Sequence, residues 1–159
     1  VNVMNELAEL LIEKGITISS VESFTVGNFA TMLGNIPGIS KVYKGSLITY
    51  QSETKERLLS IDHALIEKYG VVSKKIATLM CVNGKSILDT DLCVSFTGNA
   101  GPNAMEGKPV GEVYIGIAYQ DVVVYKLNLT GSRQEIASKA VEFAKKKIIE
   151  KINENLKKN

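Results

Sequence analysis

The sequence is poor in the residues that build disulfide frameworks and metal sites, with two cysteines and one histidine among 159 residues. Cys81 and Cys93 are isolated and flanked by apolar residues, which is typical of buried thiols in a reducing compartment. With His63 as the single imidazole, no zinc-ligand cluster can be assembled. We therefore expect neither a disulfide scaffold nor a metal or other cofactor.

Long hydrophobic runs and an excess of one charge are also absent. Apolar runs such as residues 122–124 are far shorter than the ~20 residues that span a bilayer, and no signal-peptide pattern begins the chain. Lys and Arg number 19 against 17 Asp and Glu, a balance that does not favour nucleic-acid binding. No linker or repeat is present, so we expect one cytoplasmic domain over residues 1–159 without a membrane partner.

Helical and β-branched segments alternate along the chain, which predicts an α/β domain. The predicted helices cover 2–14, 26–33, 52–59, 62–69, 73–88 and a final segment from 132, and the predicted strands cover 16–21, 42–50, 92–96, 110–118 and 122–129. The side chains expected to cap these helices are Ser23 and Thr25, Ser52, Asp62, Ser73 and Ser132. In the fifth helix we expect the inward residues to be Ala77, Met80, Cys81, Gly84, Ile87 and Leu88.

Two polar loops follow predicted strands, at residues 23–27 and 97–107. Open α/β sheets bind ligands beyond the carboxyl ends of their strands, so these loops are the first candidates for a site. The second loop holds three glycines and a proline. Its N–H groups could converge on an anion, although a long approach to a hairpin explains the glycines equally well. Neither a dinucleotide G-x-G-x-x-G motif nor a P-loop is present.

Four side chains near these loops could carry chemistry. Ser23 stands where a strand passes into a helix, which suits either a nucleophile or a helix cap. Tyr50 ends a strand, and Lys55 lies five residues later. A lysine withdrawn from water can act as a general base with a tyrosine orienting the proton, but a surface lysine beside a half-buried tyrosine is the simpler interpretation. Arg133 opens the last helix, where it could clamp a phosphate or be solvated.

Seven segments, in order along the chain, resemble motifs of the CinA C-terminal domain family. Residues 22–27 (ESFTVG) are similar to its E-S-C-T-G-G motif, and residues 45–55 (GSLITYQSETK) to its G-x-V-x-Y-x-N-x-x-K segment. The remaining matches are 37–40 (PGIS) with P-G-S-S, 70–73 (GVVS) with G-A-V-S, 97–102 (TGNAGP) with T-G-I-A-G-P, 108–111 (KPVG) with K-P-V-G and 131–133 (GSR) with G-D-R. The resemblance covers about residues 1–152, and its collinearity is more specific than any single motif.

The resemblance implies a three-layer α/β/α sandwich with a mixed sheet, and the activity of nicotinamide-nucleotide amidohydrolase. This activity converts nicotinamide mononucleotide to nicotinate mononucleotide and ammonia in pyridine nucleotide salvage. The implied catalytic residues are Ser23 as nucleophile with Tyr50 and Lys55 handling protons. The substrate-binding residues expected around the oxyanion and the ribose phosphate are Thr25, Gly27, Thr97, Gly98, Gly101, Lys108 and Arg133.

Lys55 must lose its proton to act as a base, so its pKa has to fall. We expect burial and the positive charges of Arg133 and Lys108 to lower it. A cleft shared with a second subunit could supply the dehydration, and we expect a homo-oligomer with a dimer favoured.

Several positions depart from the family pattern: Phe24 replaces a cysteine, Val26 a glycine, Asn99 an apolar residue and Ala137 a second arginine. One alternative is therefore a catalytically weak relative that binds a nucleotide in a competence- or damage-linked regulatory role. Another is a nucleic-acid binder that uses the basic last helix, although its lysines alternate with glutamates as on a solvated face. Because Ser23, Tyr50 and Lys55 are all present, the sequence favours the enzyme.

Overall fold

In the computed structural model, which describes residues 3–158 and the side chains from Asn5, five strands form one mixed sheet in the order β2-β1-β3-β4-β5. The strands are β1 (Ile18–Glu22), β2 (Tyr43–Ile48), β3 (Leu92–Gly98), β4 (Glu112–Tyr119) and β5 (Asp121–Asn128). The helices are α1 (Val3–Lys14), α2 (Asn28–Gly34), α3 (Ser52–Leu59), α4 (His63–Tyr69), α5 (Lys74–Leu88) and α6 (Arg133–Lys158). Strand β1 pairs in parallel with both β2 and β3, whereas β3, β4 and β5 are antiparallel. The predicted central strand, β3, is confirmed.

Helices cover both faces of the sheet, which confirms the three-layer α/β/α architecture. Helices α1, α2 and α6 bury one apolar cluster against the sheet, with Leu7, Phe29 and Ala140 among its members. Helix α5, supported by α3 and α4, buries the other face around Met80 and Cys93. Both cysteines are free and buried as expected, and burial raises the pKa of Cys93 to about 12. No helix in the described part of the chain is long and apolar enough to cross a membrane.

Helix α5 lies unusually close to the sheet because glycines line the contact. A Cβ on Gly116 of β4 would come within 2.9 Å of the Ala77 carbonyl oxygen of α5. A Cβ on Gly84 of α5 would overlap the side chain of Val21 in β1. The Gly84 contact packs β1 directly against α5, and the Gly116 contact does the same for β4.

Three predicted helix caps are confirmed, and the predicted cap at Ser52 is wrong. Asp62, Ser73 and Ser132 accept hydrogen bonds from first-turn N–H groups at 3.0, 3.2 and 3.2 Å. Ser52 is instead the first residue of α3, and the N-cap position is Gln51, which makes no side-chain cap hydrogen bond.

Two predictions about exposure are also wrong. Ile87 is 48% exposed, because the buried side of α5 ends at Gly84 and its last turn contributes no buried residue. The basic face of α6 is not fully solvated. Lys145 is buried beside Glu142, and Lys151 pairs with Asp121 of β5. The lysine count of α6 therefore overstates the positive charge presented to solvent.

Candidate active site

The carboxyl ends of the three parallel strands meet at one edge of the sheet, where most of the predicted site residues lie. Ser23 directly follows β1, Tyr50 follows β2 after one residue, and Gly98 ends β3. Strand β1 lies between β2 and β3, so it marks the point where the strand order changes direction. Ligands bind at such switch points in open α/β sheets, and Ser23 occupies this one.

Ser23 and Lys55 are in direct contact at this edge. The Lys55 Nζ group donates to Ser23 Oγ at 2.9 Å, to the Thr49 carbonyl at 2.6 Å and to the Tyr50 carbonyl at 3.2 Å. Ser23 is 8% exposed and Lys55 only 1%. A nearly dry lysine thus touches the hydroxyl of a serine that still reaches a small cavity.

Burial lowers the pKa of Lys55 to about 8, and the negative charge of Glu106 partly opposes this shift. The predicted contribution of positive neighbours is wrong. Lys108 donates to the Val72 carbonyl and pairs with Glu106 at 3.5 Å. The Arg133 guanidinium instead faces the Tyr50 hydroxyl. Loss of hydration therefore lowers the pKa of Lys55, and the charge that acts on it, that of Glu106, is negative.

Tyr50 contributes two different groups to the site. Its carbonyl accepts hydrogen bonds from Lys55 Nζ and from Ser23 Oγ, the latter at 3.3 Å. Its side chain is 53% exposed, and its hydroxyl accepts a hydrogen bond from Arg133 Nη1 at 3.5 Å. The phenol therefore stands at the rim of the cleft beside the guanidinium, and the carbonyl stands at the serine.

Glu22 caps helix α2 and corrects the expectation that Ser23 and Thr25 would do so. The N-cap position is Gly27, in the left-handed conformation with φ 83° and no side-chain cap. The Glu22 carboxylate instead accepts from the N–H groups of Phe29 and Ala30 at 3.1 and 3.0 Å. The sequence analysis assigned Glu22 no role, although Glu22 ends a β-branched strand and is the first residue of the segment that resembles E-S-C-T-G-G.

Several hydrogen-bonding groups of the glycine loop and the end of β3 are already bonded within the protein. The Thr97 hydroxyl donates to the Val71 carbonyl at 2.7 Å. Gly101 N–H donates to the side chain of Asn99 at 2.9 Å, and Asn99 N–H to the Glu112 carbonyl at 3.0 Å. Gly98 permits a close strand contact, since a Cβ there would lie 2.5 Å from a Val113 methyl group. The loop thus forms a closed wall of the site, and two of its N–H groups are not free for an anion.

Two adjoining cavities lie at this edge of the sheet, and Ser23 lines the smaller of them. The smaller one, about 120 Å³, is lined by Ser23, Phe24, Tyr50, Gly98, Asn99, Ala100, Met105 and Arg133. The larger cleft, about 800 Å³, is lined by Phe24, Thr25, Val26, Asn28, Tyr50, Arg133, Gln134, Ala137 and Ser138. Phe24, Tyr50 and Arg133 line both, so the two cavities adjoin at these side chains. The described residues contain no cluster of three side chains suited to a metal ion.

Val26 has a strained backbone conformation beside the larger cleft. Its φ is +45°, a region that β-branched residues avoid and that glycine adopts without cost. The side chain is 58% exposed, so little packing offsets the strain.

We expect Val26→Gly to raise the free energy of unfolding by about 1 kcal/mol, because relief of left-handed strain outweighs the entropy that glycine adds to the unfolded chain. Urea unfolding followed by circular dichroism measures the change. Val122→Gly is the matched control, since Val122 is a similarly exposed valine (41%) in the extended strand β5. That control should lower stability, and a loss of stability in both variants would contradict the strain.

Comparisons with known proteins give consistent matches. Residues 1–152 match the family model described as the CinA C-terminal domain. A protein of Bacillus mycoides (strain KBAB4), named as competence-damage inducible, is 39% identical over 147 residues, covering 91% of this chain. One of the same name from Levilactobacillus brevis is 41% identical over 137 residues, covering 85%. The chain spans only 36% and 33% of these two relatives, about a third of their length.

Solved structures agree with this likeness. A competence-damaged protein (CinA) superfamily protein from Escherichia coli superposes with a TM-score of 0.90 at 26% identity, covering 93% of this chain and 87% of that one. The competence/damage inducible protein CihA from Agrobacterium tumefaciens gives 0.86 at 27% identity, with 94% and 95% covered. The competence damage-inducible protein A from Klebsiella pneumoniae gives 0.93 at 24% identity with 95% of each chain covered, a likeness of fold.

Proposed function

Because this chain belongs to the CinA C-terminal domain family, we propose that it hydrolyses the carboxamide of nicotinamide mononucleotide to nicotinate mononucleotide and ammonia. The observation that carries the proposal is the 2.9 Å contact between Ser23 Oγ and Lys55 Nζ at a nearly dry position. Amide hydrolysis needs a nucleophile, a base within hydrogen-bond reach and donors for the oxyanion. The pair supplies the first two.

In this mechanism the neutral amine of Lys55 is the base. When Lys55 is neutral, its two N–H bonds donate to the Thr49 and Tyr50 carbonyls. The contact that the ammonium donates to Ser23 Oγ then reverses, so that the lone pair accepts from the serine hydroxyl. Lys55 accepts the serine proton as Oγ attacks the carboxamide carbon, and then returns a proton to the departing nitrogen as the C–N bond breaks and ammonia leaves. A water molecule activated by the same amine then hydrolyses the acyl ester and regenerates the serine.

Backbone N–H groups of the turn after β1 are the proposed oxyanion donors. The turn's own bonds run from Val26 N–H to the Ser23 carbonyl at 3.2 Å and from Asn28 N–H to the Thr25 carbonyl at 2.9 Å. These two bonds do not use the N–H groups of Phe24 and Thr25. The Thr25 hydroxyl donates to Glu22 at 2.7 Å, so we assign the oxyanion to its backbone N–H rather than to its side chain.

The two cavities suit the two ends of the substrate. We place the carboxamide in the 120 Å³ cavity beside Ser23 and the ribose phosphate in the 800 Å³ cleft. Arg133 lines both, and its contact with the Tyr50 hydroxyl is long and exposed, so a phosphate could replace it at little cost. Lys108 is held by Glu106 and Val72, which leaves Arg133 as the proposed phosphate ligand.

A catalytically weak nucleotide-binding role is the second candidate. It is favoured by the Val26 side chain that lines the larger cleft and by Ala137, which adds no charge there. The relatives' names would then point to a competence- or damage-linked regulatory role. Action in the cytoplasm and assembly into a homo-oligomer, with a dimer favoured, stay predictions from the sequence.

An ammonia-release assay on nicotinamide mononucleotide and nicotinamide riboside tests the proposal. We expect kcat/KM to be about a hundredfold higher for the nucleotide, because a charge-assisted contact to the phosphate contributes about 2–3 kcal/mol. Arg133→Ala should chiefly raise KM for the nucleotide and leave riboside hydrolysis unchanged.

Arg57→Ala is the matched control, since Arg57 lies in the last turn of α3. It should leave both substrates unaffected. Equal kcat/KM for nucleotide and riboside would show that the site has no phosphate clamp. Absence of ammonia from both, with the nucleotide still bound, would favour the weakly catalytic alternative.

A further inference from the structure

The buried carboxylate of Glu22 collects four hydrogen bonds immediately beside Ser23. Oε1 accepts from the Thr25 hydroxyl at 2.7 Å and from Phe29 N–H at 3.1 Å. Oε2 accepts from the Ser20 hydroxyl at 3.0 Å and from Ala30 N–H at 3.0 Å. Glu22 itself is fully buried. Two donors on each oxygen satisfy the carboxylate, so its position is fixed from both sides.

These bonds join the end of β1, the turn after it and the first turn of α2. Ser23 and the turn residues lie between the Glu22 backbone and the N–H groups that its side chain holds. A carboxylate reaching back from the strand performs the capping for which serine and threonine were expected. The Ser23 hydroxyl is therefore not needed for capping and faces Lys55 instead.

A chain of hydroxyl groups extends from the other side of the carboxylate. Ser20 Oγ lies 2.5 Å from Ser46 Oγ on β2, which lies 2.5 Å from the Tyr43 hydroxyl. Each hydroxyl has one proton, and Ser20 gives its own to Glu22. Ser46 must then donate to Ser20, and Tyr43 must donate to Ser46. The carboxylate thus sets the direction of the whole chain, and the chain in turn orients the carboxylate.

We propose that Glu22 is the positioning residue of the nucleophile turn: its four-bonded carboxylate holds residues 23–30 so that Ser23 Oγ stays within reach of Lys55 Nζ. The role in catalysis rests on the function proposed above, whereas the role in geometry does not. Glu22→Gln is the sharpest probe, because the amide keeps the shape but turns an NH₂ group toward the N–H of Phe29 or of Ala30, which cannot accept from it.

Three measurements test the Glu22→Gln variant. We expect kcat for nicotinamide mononucleotide to fall about a hundredfold with KM within about threefold, since a misplacement near 1 Å has that effect. Amide exchange at Phe29 or at Ala30, whichever N–H then faces the NH₂ group, should accelerate at least about tenfold, while Val94 in β3 keeps its protection. In a crystal structure of the variant, the Ser23 Oγ–Lys55 Nζ distance should exceed the hydrogen-bonding range.

Ser20→Ala and Ser19→Ala form a matched pair if the Gln variant does not fold. Both serines are fully buried on β1, but Ser19 faces the opposite side and contacts Thr90 at 2.7 Å. Ser20→Ala should speed exchange at Ala30 and lower kcat about threefold, whereas Ser19→Ala should do neither.

The outcomes separate the two proposals. If the wild type releases no ammonia, the proposed function fails, but local exchange and the Ser23–Lys55 distance still decide the role of Glu22. The positioning role of Glu22 is overturned if Glu22→Gln leaves amide exchange at Phe29 and Ala30 unchanged and also leaves the Ser23 Oγ–Lys55 Nζ distance unchanged. It is also overturned by faster exchange that affects Val94 equally, because that result indicates a general loss of stability.

Discussion

Ser23→Ala is expected to lower the turnover of nicotinamide mononucleotide by about 10⁴–10⁶-fold, because the residual rate would rest on substrate binding and oxyanion stabilisation alone. The fold should persist. The substitution removes one hydrogen-bond partner of Lys55, while the Thr49 and Tyr50 carbonyls remain as acceptors. We expect a loss of about 1 kcal/mol in the free energy of unfolding. Ammonia release and urea unfolding measure the two effects separately.

Ser52→Ala is the matched control for the nucleophile. Ser52 precedes Lys55 by three residues, but it is exposed and begins helix α3. Its replacement should leave turnover within about twofold of the wild type, as expected for a surface position. Near-normal turnover in Ser23→Ala would contradict the nucleophile assignment.

Replacement of Lys55 by methionine should remove most of the rate and all of its rise with pH. The wild-type pKa of about 8 leaves roughly a tenth of the amines neutral at pH 7, against about 0.03% at a pKa of 10.5. The active form is the neutral one, so kcat/KM should rise about tenfold per pH unit below pH 7 and level off above pH 8. In Lys55→Met the rate should fall by about 10²–10⁴-fold, and the rising limb should vanish.

Lys145→Met provides a control for the loss of a buried lysine. Lys145 is 2% exposed, lies in α6 and pairs with Glu142 outside the site. This variant should keep both the rate and the rising limb, even if it is less stable. If Lys55→Met retains the limb, the base is another group, and Tyr50 is the next residue to replace.

Local patterns in the sequence predicted the elements of the fold because the elements follow local rules. The β-branched run before Ser23 and the apolar run of β3 are strands, and Asp62, Ser73 and Ser132 cap the helices that follow them. The strand-to-helix position of Ser23 also pointed to the edge of the sheet where the three parallel strands end, since switch points follow from strand order.

The features that could not be predicted depend on distant contacts. Capping rules consider donors two or three residues ahead, whereas the Glu22 carboxylate reaches N–H groups seven and eight residues away. The burial of Lys55 was expected only because its proposed role as a base requires a lowered pKa; it comes from the position of Lys55 against the Thr49–Tyr50 backbone beside Ser23, and nothing in the short helix around it indicates a dry environment. Similarly, Lys151 is mostly buried because it pairs with Asp121 of β5, thirty residues earlier in the sequence.

The insertion of β3 beside β1 determines when the site can exist during synthesis. A nascent chain that has emerged through α3 already carries Ser23, Tyr50 and Lys55, but the Ser23 N–H still lacks its partner, the Phe96 carbonyl of β3. The guanidinium that faces Tyr50 arrives 83 residues after it, at the start of α6. Contacts this far apart in sequence form late in folding. The proposed nucleophile is therefore assembled only when nearly the whole sheet is in place, and this topology would prevent incomplete chains from reacting with substrate.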